Sequence, residues 1–386
     1  MRLNIYNKFR RITTNQLYFP EIDGIRFLAI TLVLLFHSHG YFVSKSNIQF
    51  SDNPASYHLL NALLRHGDRG VQLFFVLSGF ILCLPFAHHY INNGKKVSLK
   101  KYYLRRLTRL EPPYFIAMTA IFLLAVAMQV RPISVLFPSW LASLVYSHNI
   151  IFHHAPYITV VAWSLEIEIQ FYLLAPLLFR LLMLPKITRR IILCATSIAF
   201  IVLQHFYTPP FLYIYSSVQF FLTGILLADI YVSGEASGLF NKPFMIPIAA
   251  IILISLGYLP VRSSFYAILI FPFLIGFLYY IILKNEVMKK LFSYKFIPII
   301  GGMCYSIYLL HYTIISIAGR LTLHFQITGY YLPNLLLQII LLGIPVLVFS
   351  SVFYYYIERP FMSSKWLDLL MKKDKKAVNA DTNAVT

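Results

Sequence analysis

The sequence predicts an all-α polytopic membrane protein with about ten transmembrane helices and both termini in the cytoplasm. Three observations predict it. The chain of 386 residues is 59% hydrophobic, only 12% charged, and has a mean hydropathy of +0.69. That is more apolar surface than a soluble fold of this length can bury. The apolar residues gather into runs long enough to cross a bilayer, and the basic residues gather between those runs. A formal charge of +19 raises nucleic acid as a partner, but basic residues placed between apolar runs are the mark of loops held on the cytoplasmic side. Nucleic-acid binding is set aside on that ground.

The N-terminal segment 1–20 carries Arg2, Lys8, Arg10 and Arg11. Its first apolar run starts near residue 25 and lacks a small-residue cleavage site, so an uncleaved first span is expected. Runs of crossing length lie near 25–43, 70–90, 112–130, 163–183, 190–207, 214–232, 243–260, 264–283, 300–318 and 335–357. An eleventh candidate, 134–152, contains Pro138, Ser139, Ser143, His148 and Asn149. The basic segments 95–109, 185–190 and 284–295 and the tail after Arg359 all fall on the cytoplasmic side only if 134–152 does not span. It is therefore read as an interfacial or partly buried piece on the outer side. Residues 21–362 form the membrane domain, and the lysine-rich 363–386 reads as a disordered cytoplasmic tail, with no soluble domain expected beyond it. Cys83, Cys194 and Cys304 lie within apolar runs, in no spacing that suggests a disulfide framework or a zinc site. No Asn-x-Ser/Thr acceptor occurs, in keeping with a bacterial inner membrane.

Polar residues inside apolar spans are costly and mark candidate sites. In EIDGIRFLAITLVLLFHSHGY (21–41), Arg26 falls at the cytoplasmic mouth of the first span and His37 in its outer half. Eleven residues separate them by roughly 16 Å along the axis. Arg26 read alone is a snorkelling anchor or an anion ligand; His37 is interhelical glue or a functional base. His39 competes with His37, but two residues turn the helix by about 200°, so only one can face a given site.

In RRLTRLEPPYF (105–115), Arg105, Arg106 and Arg109 stand at the cytoplasmic end of the third span. Arg105 and Arg109 share a face by their spacing. Guanidinium forks suit phosphate oxygens, although arginines here are also ordinary topogenic charges. In WSLEIEIQFYLLAP (163–176), Trp163 belongs to the outer aromatic belt and Glu168 lies about 7 or 8 Å further in. That depth matches His37, so the two are expected to meet, the carboxylate orienting the imidazole as a general base requires. Glu166, nearer the surface, reads as solvated. GVQLFFVLSGF (70–80) contributes Ser78 and Gly79, the glycine explained by close helix packing. YSIYLLHY (305–312) contributes Tyr305, Ser306 and His311.

Together these blocks resemble the membrane-bound acyltransferase-3 family. DGIRFLAITLVLLFH is similar to the family's arginine-to-histidine opening, and GVQLFFVLSGF, RRLTR with its following proline and tyrosine, WSLEIE and YYYIERPF are similar to later blocks in the same order. Phe27, Gln72 and Glu111 depart from that pattern. The resemblance, over roughly residues 20–362, implies a ten-span bacterial protein that transfers an acyl group, usually acetyl, from cytoplasmic acyl-CoA to a hydroxyl of a carbohydrate on the outer side. It implies His37 and Glu168 as catalytic residues and Arg26, Arg106 and Arg109 as coenzyme ligands, to which spacing adds Arg105. Trp163, Ser164, Ser78, Tyr305 and His311 are the candidates to line the substrate. The implied donor is acetyl-CoA, with no metal; the implied partners are the bilayer, a lipid-linked or surface glycan such as O-antigen, lipooligosaccharide or exopolysaccharide, and a separate periplasmic or glycan-assembly protein. A carrier or flippase for a saccharide, with His37 and Glu168 as a proton relay, is the competing expectation. The lack of a strong internal repeat speaks against it.

Overall fold

The computed structural model describes residues 9, 11–12, 18–46, 49–207, 213–235, 237–261 and 263–363. Most of segment 1–20 and nearly all of the tail 363–386 lie outside the described residues. Among the described residues, all regular structure is helical. The principal helices are α1 (Pro20–Lys45), α2 (His58–Arg65), α3 (Gly70–Asn92), α4 (Leu99–Ala127), α5 (Ile133–Leu144), α6 (His148–Phe152), α7 (Ala162–Leu178), α8 (Lys186–Phe206) and α9 (Val218–Ser233). They continue with α10 (Met245–Tyr258), α11 (Phe265–Lys284), α12 (Glu286–Phe292), α13 (Phe296–Gly302), α14 (Cys304–Thr322) and α15 (Tyr331–Phe353).

Among the described residues, six helices are long and apolar enough to cross a membrane, or seven if the α13–α14 pair, bent by 72°, counts as one span. The ten expected spans are thus not all met by long helices. α9 and α10, of 16 and 14 residues, rise only about 24 and 21 Å, short of a hydrocarbon core of about 30 Å. α7 has 17 residues and carries two glutamates, with one 3₁₀ turn (Phe179–Met183) continuing it. Segment 134–152 breaks into α5 and α6 around Tyr146, whose φ is +53°. α5 rises about 18 Å and cannot span. α2 is a further short helix that the apolar pattern did not mark.

α3 lies inside the bundle, buried along Leu73, Phe75, Val76, Phe80, Cys83 and Phe86, while Phe74, Ser78 and Ile81 on its remaining face are half-buried. It packs most extensively on α9, where Gly79 and Gly224 bring the two backbones together. A Cβ on Gly79 would sit 2.3 Å from the Phe221 carbonyl oxygen, so close packing does explain that glycine. α15 is the opposite case. Leu336, Ile340, Ile344, Val348 and Val352 form an exposed stripe at four-residue spacing, a surface suited to lipid.

Two local features place the site. Gly301 at the end of α13 lets α1 approach so closely that a Cβ there would lie 1.7 Å from the Asp23 carbonyl oxygen. After α15 the chain makes one π-helical turn, Tyr354–Glu358, which carries Glu358 back under α14. Glu358 accepts hydrogen bonds from the Ser306 backbone N–H (3.0 Å) and hydroxyl.

Candidate active site

α1, α3, α4, α7 and α14 enclose a pocket with about 800 Å³ of space not filled by atoms, part of it open to the outside. Four arginines line it, Arg11, Arg26, Arg106 and Arg109, against one carboxylate, Glu168. Two helical turns along α7 from Tyr172, its lining is apolar and hydroxylic, with Phe74, Ser164 and Tyr308. The pocket therefore pairs a cationic end with a long, mostly neutral interior.

The four arginines are not equivalent. Arg26 and Arg11 both close on Asp23, one helical turn before Arg26, with Arg11 Nη1 3.2 Å from the carboxylate. Burial works against the charge of Arg11, yet Asp23, with smaller help from Cys304 and Glu358, holds that guanidinium more firmly protonated than usual. Arg106 lies 5.8 Å from the Tyr172 ring centroid, a cation–π distance. The Nε atoms of Arg106 and Arg109 are buried without a hydrogen-bond partner, and neither side chain forms an ion pair among the described residues. Buried, unpaired guanidinium donors are expensive to maintain. Their natural complement is an anion.

His37 stands outside this pocket's lining. Its ring meets His311 at 5.1 Å between centroids and Tyr312 at 5.3 Å. His311 is fully buried, and its Nδ1 donates to the carbonyls of Ile307 (3.0 Å) and Tyr308 (2.8 Å). Tyr308 links the two regions: it lines the pocket, bonds with Ser164 and donates to the Val161 carbonyl at 3.1 Å, and its ring lies 5.6 Å from His311.

Residues 19–355 match the acyltransferase domain family. The chain belongs to the acyltransferase family. Over 383 aligned residues it is 25% identical to a peptidoglycan O-acetyltransferase OatA of Listeria monocytogenes, covering 91% of this chain and 57% of that protein. An O-acetyltransferase OatA of Staphylococcus aureus is 25% identical over 406 residues, 95% of this chain and 60% of the relative. This chain thus spans about three fifths of the length of these relatives, 57% and 60%. No solved structure matches it.

The expected meeting of His37 and Glu168 does not occur. Glu168 turns toward α3, accepting from the Ser78 hydroxyl at 2.5 Å and from Tyr172. Depth along two helix axes says nothing of which way each side chain points around its helix. Two residues earlier, Glu166 is 2% exposed and not solvated. It accepts from the backbone N–H groups of Asn149 (2.9 Å) and Ile150 (3.3 Å) at the start of α6, fastening α6 to α7. Arg106 and Arg109, three apart, share the pocket, while Arg105 is exposed and does not line it. Ser78, Ser164 and Tyr305 line the pocket; Trp163 and His311 do not. His39 bonds instead to Tyr331, at 3.1 Å, in a separate buried network.

Sequence reasoning passed over Asp23, Arg11, Tyr172, Cys304 and Glu358. Asp23 stands three residues before Arg26 and Tyr172 four after Glu168, spacings that put both pairs on one helix face. Glu358 lies inside YYYIERPF, a stretch weighed only as a block.

Proposed function

We propose that the protein is an integral membrane O-acyltransferase that moves an acyl group, acetyl first, from cytoplasmic acyl-CoA to a hydroxyl of an envelope glycan. The observation that carries this reading is the pair of buried, unpaired donors on Arg106 and Arg109 at one end of a pocket whose other end is neutral. Acyl-CoA has that polarity, with phosphates at one end and an uncharged pantetheine arm ending in a thioester. Arginine forks bind phosphate oxygens bidentately, and Arg26 with Arg11 would complete the cationic mouth. Glu168 would hold Tyr172 against Arg106 rather than act at the reacting carbon.

The topology that fits is ten crossings, the short helices included, with both ends in the cytoplasm of a bacterial inner membrane. The arginine end then opens inward. The thioester would reach the Ser164–Tyr308 end of the pocket, next to the histidines. His37 would take the proton of the acceptor hydroxyl as its oxygen attacks the thioester carbon. The Listeria relative is described as acting on peptidoglycan, so that polymer leads among acceptors, ahead of the lipid-linked glycans considered from sequence. A separate glycan-assembly or periplasmic protein would present the acceptor. A carrier would not need an acyl-CoA phosphate seat.

The test is release of CoA thiol from acetyl-CoA by the protein in lipid, with solubilised envelope glycan present. Release that needs both the glycan and His37 is expected. Equal release by a folded His37→Ala variant would remove His37 from the chemistry, and transport of glycan without thiol release would favour the carrier.

A further inference from the structure

The partner of His37 is a second histidine, and that histidine's protonation state can be read from its surroundings. His311 is at 0% exposure. Its Nδ1 faces two backbone carbonyl oxygens, at 3.0 and 2.8 Å. Carbonyls only accept, so Nδ1 carries the hydrogen, and the neutral ring keeps a lone pair on Nε2. That Nε2 is buried and has no hydrogen-bond partner. A buried acceptor left open is costly. The ring it lies beside is His37, 5.1 Å away between centroids and tilted by 50°. Two imidazoles sharing an N–H···N bond have about that centroid separation, a bond of roughly 2.9 Å plus the two ring radii.

We propose that His311 is the positioning residue for His37: its Nε2 lone pair accepts a hydrogen bond from the second ring nitrogen of His37 when His37 takes up the proton of the acceptor hydroxyl. This is the place that spacing assigned to Glu168, and it presupposes His37 as the general base. The two rings are not hydrogen-bonded in this structure, and the bond forms as His37 turns to receive the proton. In the transfer, the acceptor oxygen bonds to the acyl carbon while its proton passes to His37. The carbon–sulfur bond breaks, and His37 returns the proton to the CoA thiolate, leaving ester and free thiol. His311 keeps its own proton throughout. The titratable groups facing the pair are Tyr312, 5.3 Å from His37, and Tyr308, 5.6 Å from His311. On α14 Arg320 stands more than two turns beyond His311, and no carboxylate bonds to either ring among the described residues. A neutral imidazole therefore does what an aspartate does in a hydrolase triad.

The experiment compares wild type with His311→Gln, His311→Asn and His311→Phe in lipid discs, using acetyl-CoA and solubilised envelope glycan and following thiol release against pH. Gln carries an acceptor about as far out as Nε2, Asn stops near Nδ1, and Phe keeps the ring volume without a lone pair. The expected result is a loss in kcat of roughly ten- to a hundredfold for Phe and Asn, with KM for acetyl-CoA unchanged and substantial recovery in Gln. Losing the acceptor destabilises protonated His37, so the acidic limb of the profile should move to lower pH by about half a unit to one unit. Should Phe fail to fold, Gln against Asn decides the same question. Wild-type kcat and an unmoved limb in folded Phe or Asn variants would overturn the assignment, as would equal losses in Gln and Asn with an unmoved limb. Full activity of His37→Ala would instead overturn the general-base reading beneath it.

Discussion

Two arginine clusters stand at one end of this bundle, and they are built in opposite ways. The rings of Phe86 on α3, Tyr102 on α4 and Phe179 after α7 pack at 5.9 and 4.9 Å, which brings the starts of α4 and α8 to the same end. On α8, Arg189 and Arg190 both close on Asp229 of α9, Arg189 Nε at 2.8 Å and Arg190 through its own Nε. Arg190 also reaches Glu235 at 2.6 Å, with Lys186 on the same carboxylate. Those two cations hold the half-buried Glu235 carboxyl down to about 2. On α4, Arg106 and Arg109 have no such carboxylate and line a pocket instead. Three cations share two carboxylates in the first cluster; of the four arginines along the second pocket, Arg11 and Arg26 share Asp23 and Arg106 and Arg109 have no ion-pair partner among the described residues. The difference teaches that a basic run in a membrane protein is assigned by its counter-ions, which sequence does not display.

The sharpest way to break the comparison is to unpair the first cluster. Asp229→Ala leaves the buried Arg189 guanidinium without its carboxylate, while the half-buried Arg190 keeps Glu235, and removing one partner of a buried pair costs about 3–5 kcal/mol. A large fall in melting temperature and in folded yield is expected, with KM for acetyl-CoA unchanged in what survives. Glu168→Gln should act on the second cluster, loosening Tyr172 beneath Arg106 and raising KM for acetyl-CoA severalfold. The acidic limb of the pH profile should stay where it is; a shifted limb would restore Glu168 to the neighbourhood of His37. The smallest effect is expected at Arg105, whose exposed side chain lies off the pocket. Arg105→Gln should change KM by less than about twofold, since exposed charges contribute little. A tenfold change would return Arg105 to the coenzyme site.

Much of the fold was legible because lipid is an unforgiving solvent. The apolar runs follow from composition, and the close helix packing expected at Gly79 is met. What was not legible is azimuth and contact over long sequence separation. His37 and Glu168 share a depth by helical rise, yet Glu168 faces Ser78 of α3, while His37 faces a residue 274 positions later, His311. Arg106 and Arg109 were both nominated, but the three-residue pair lines the pocket rather than the four-residue pair with Arg105, because α4 presents that edge to α7 and α14. Just before the bend between α13 and α14, Gly301 meets the backbone of α1, a contact no periodicity announces. Short α9 and α10 read as full spans because hydropathy counts apolar residues without knowing where the helix stops.

The most direct test of the coenzyme seat is equilibrium binding of CoA to the protein in lipid, wild type against the double variant Arg106→Gln with Arg109→Gln, at two salt concentrations. Hydrogen bonds to charged groups contribute about 1.5–3 kcal/mol each, so the double variant should bind at least about a hundredfold more weakly. Its salt dependence should shrink, and its melting temperature should hold or rise as two unpaired buried charges disappear. Wild-type affinity in a folded double variant would contradict the assignment of these two arginines to an acyl-CoA phosphate site.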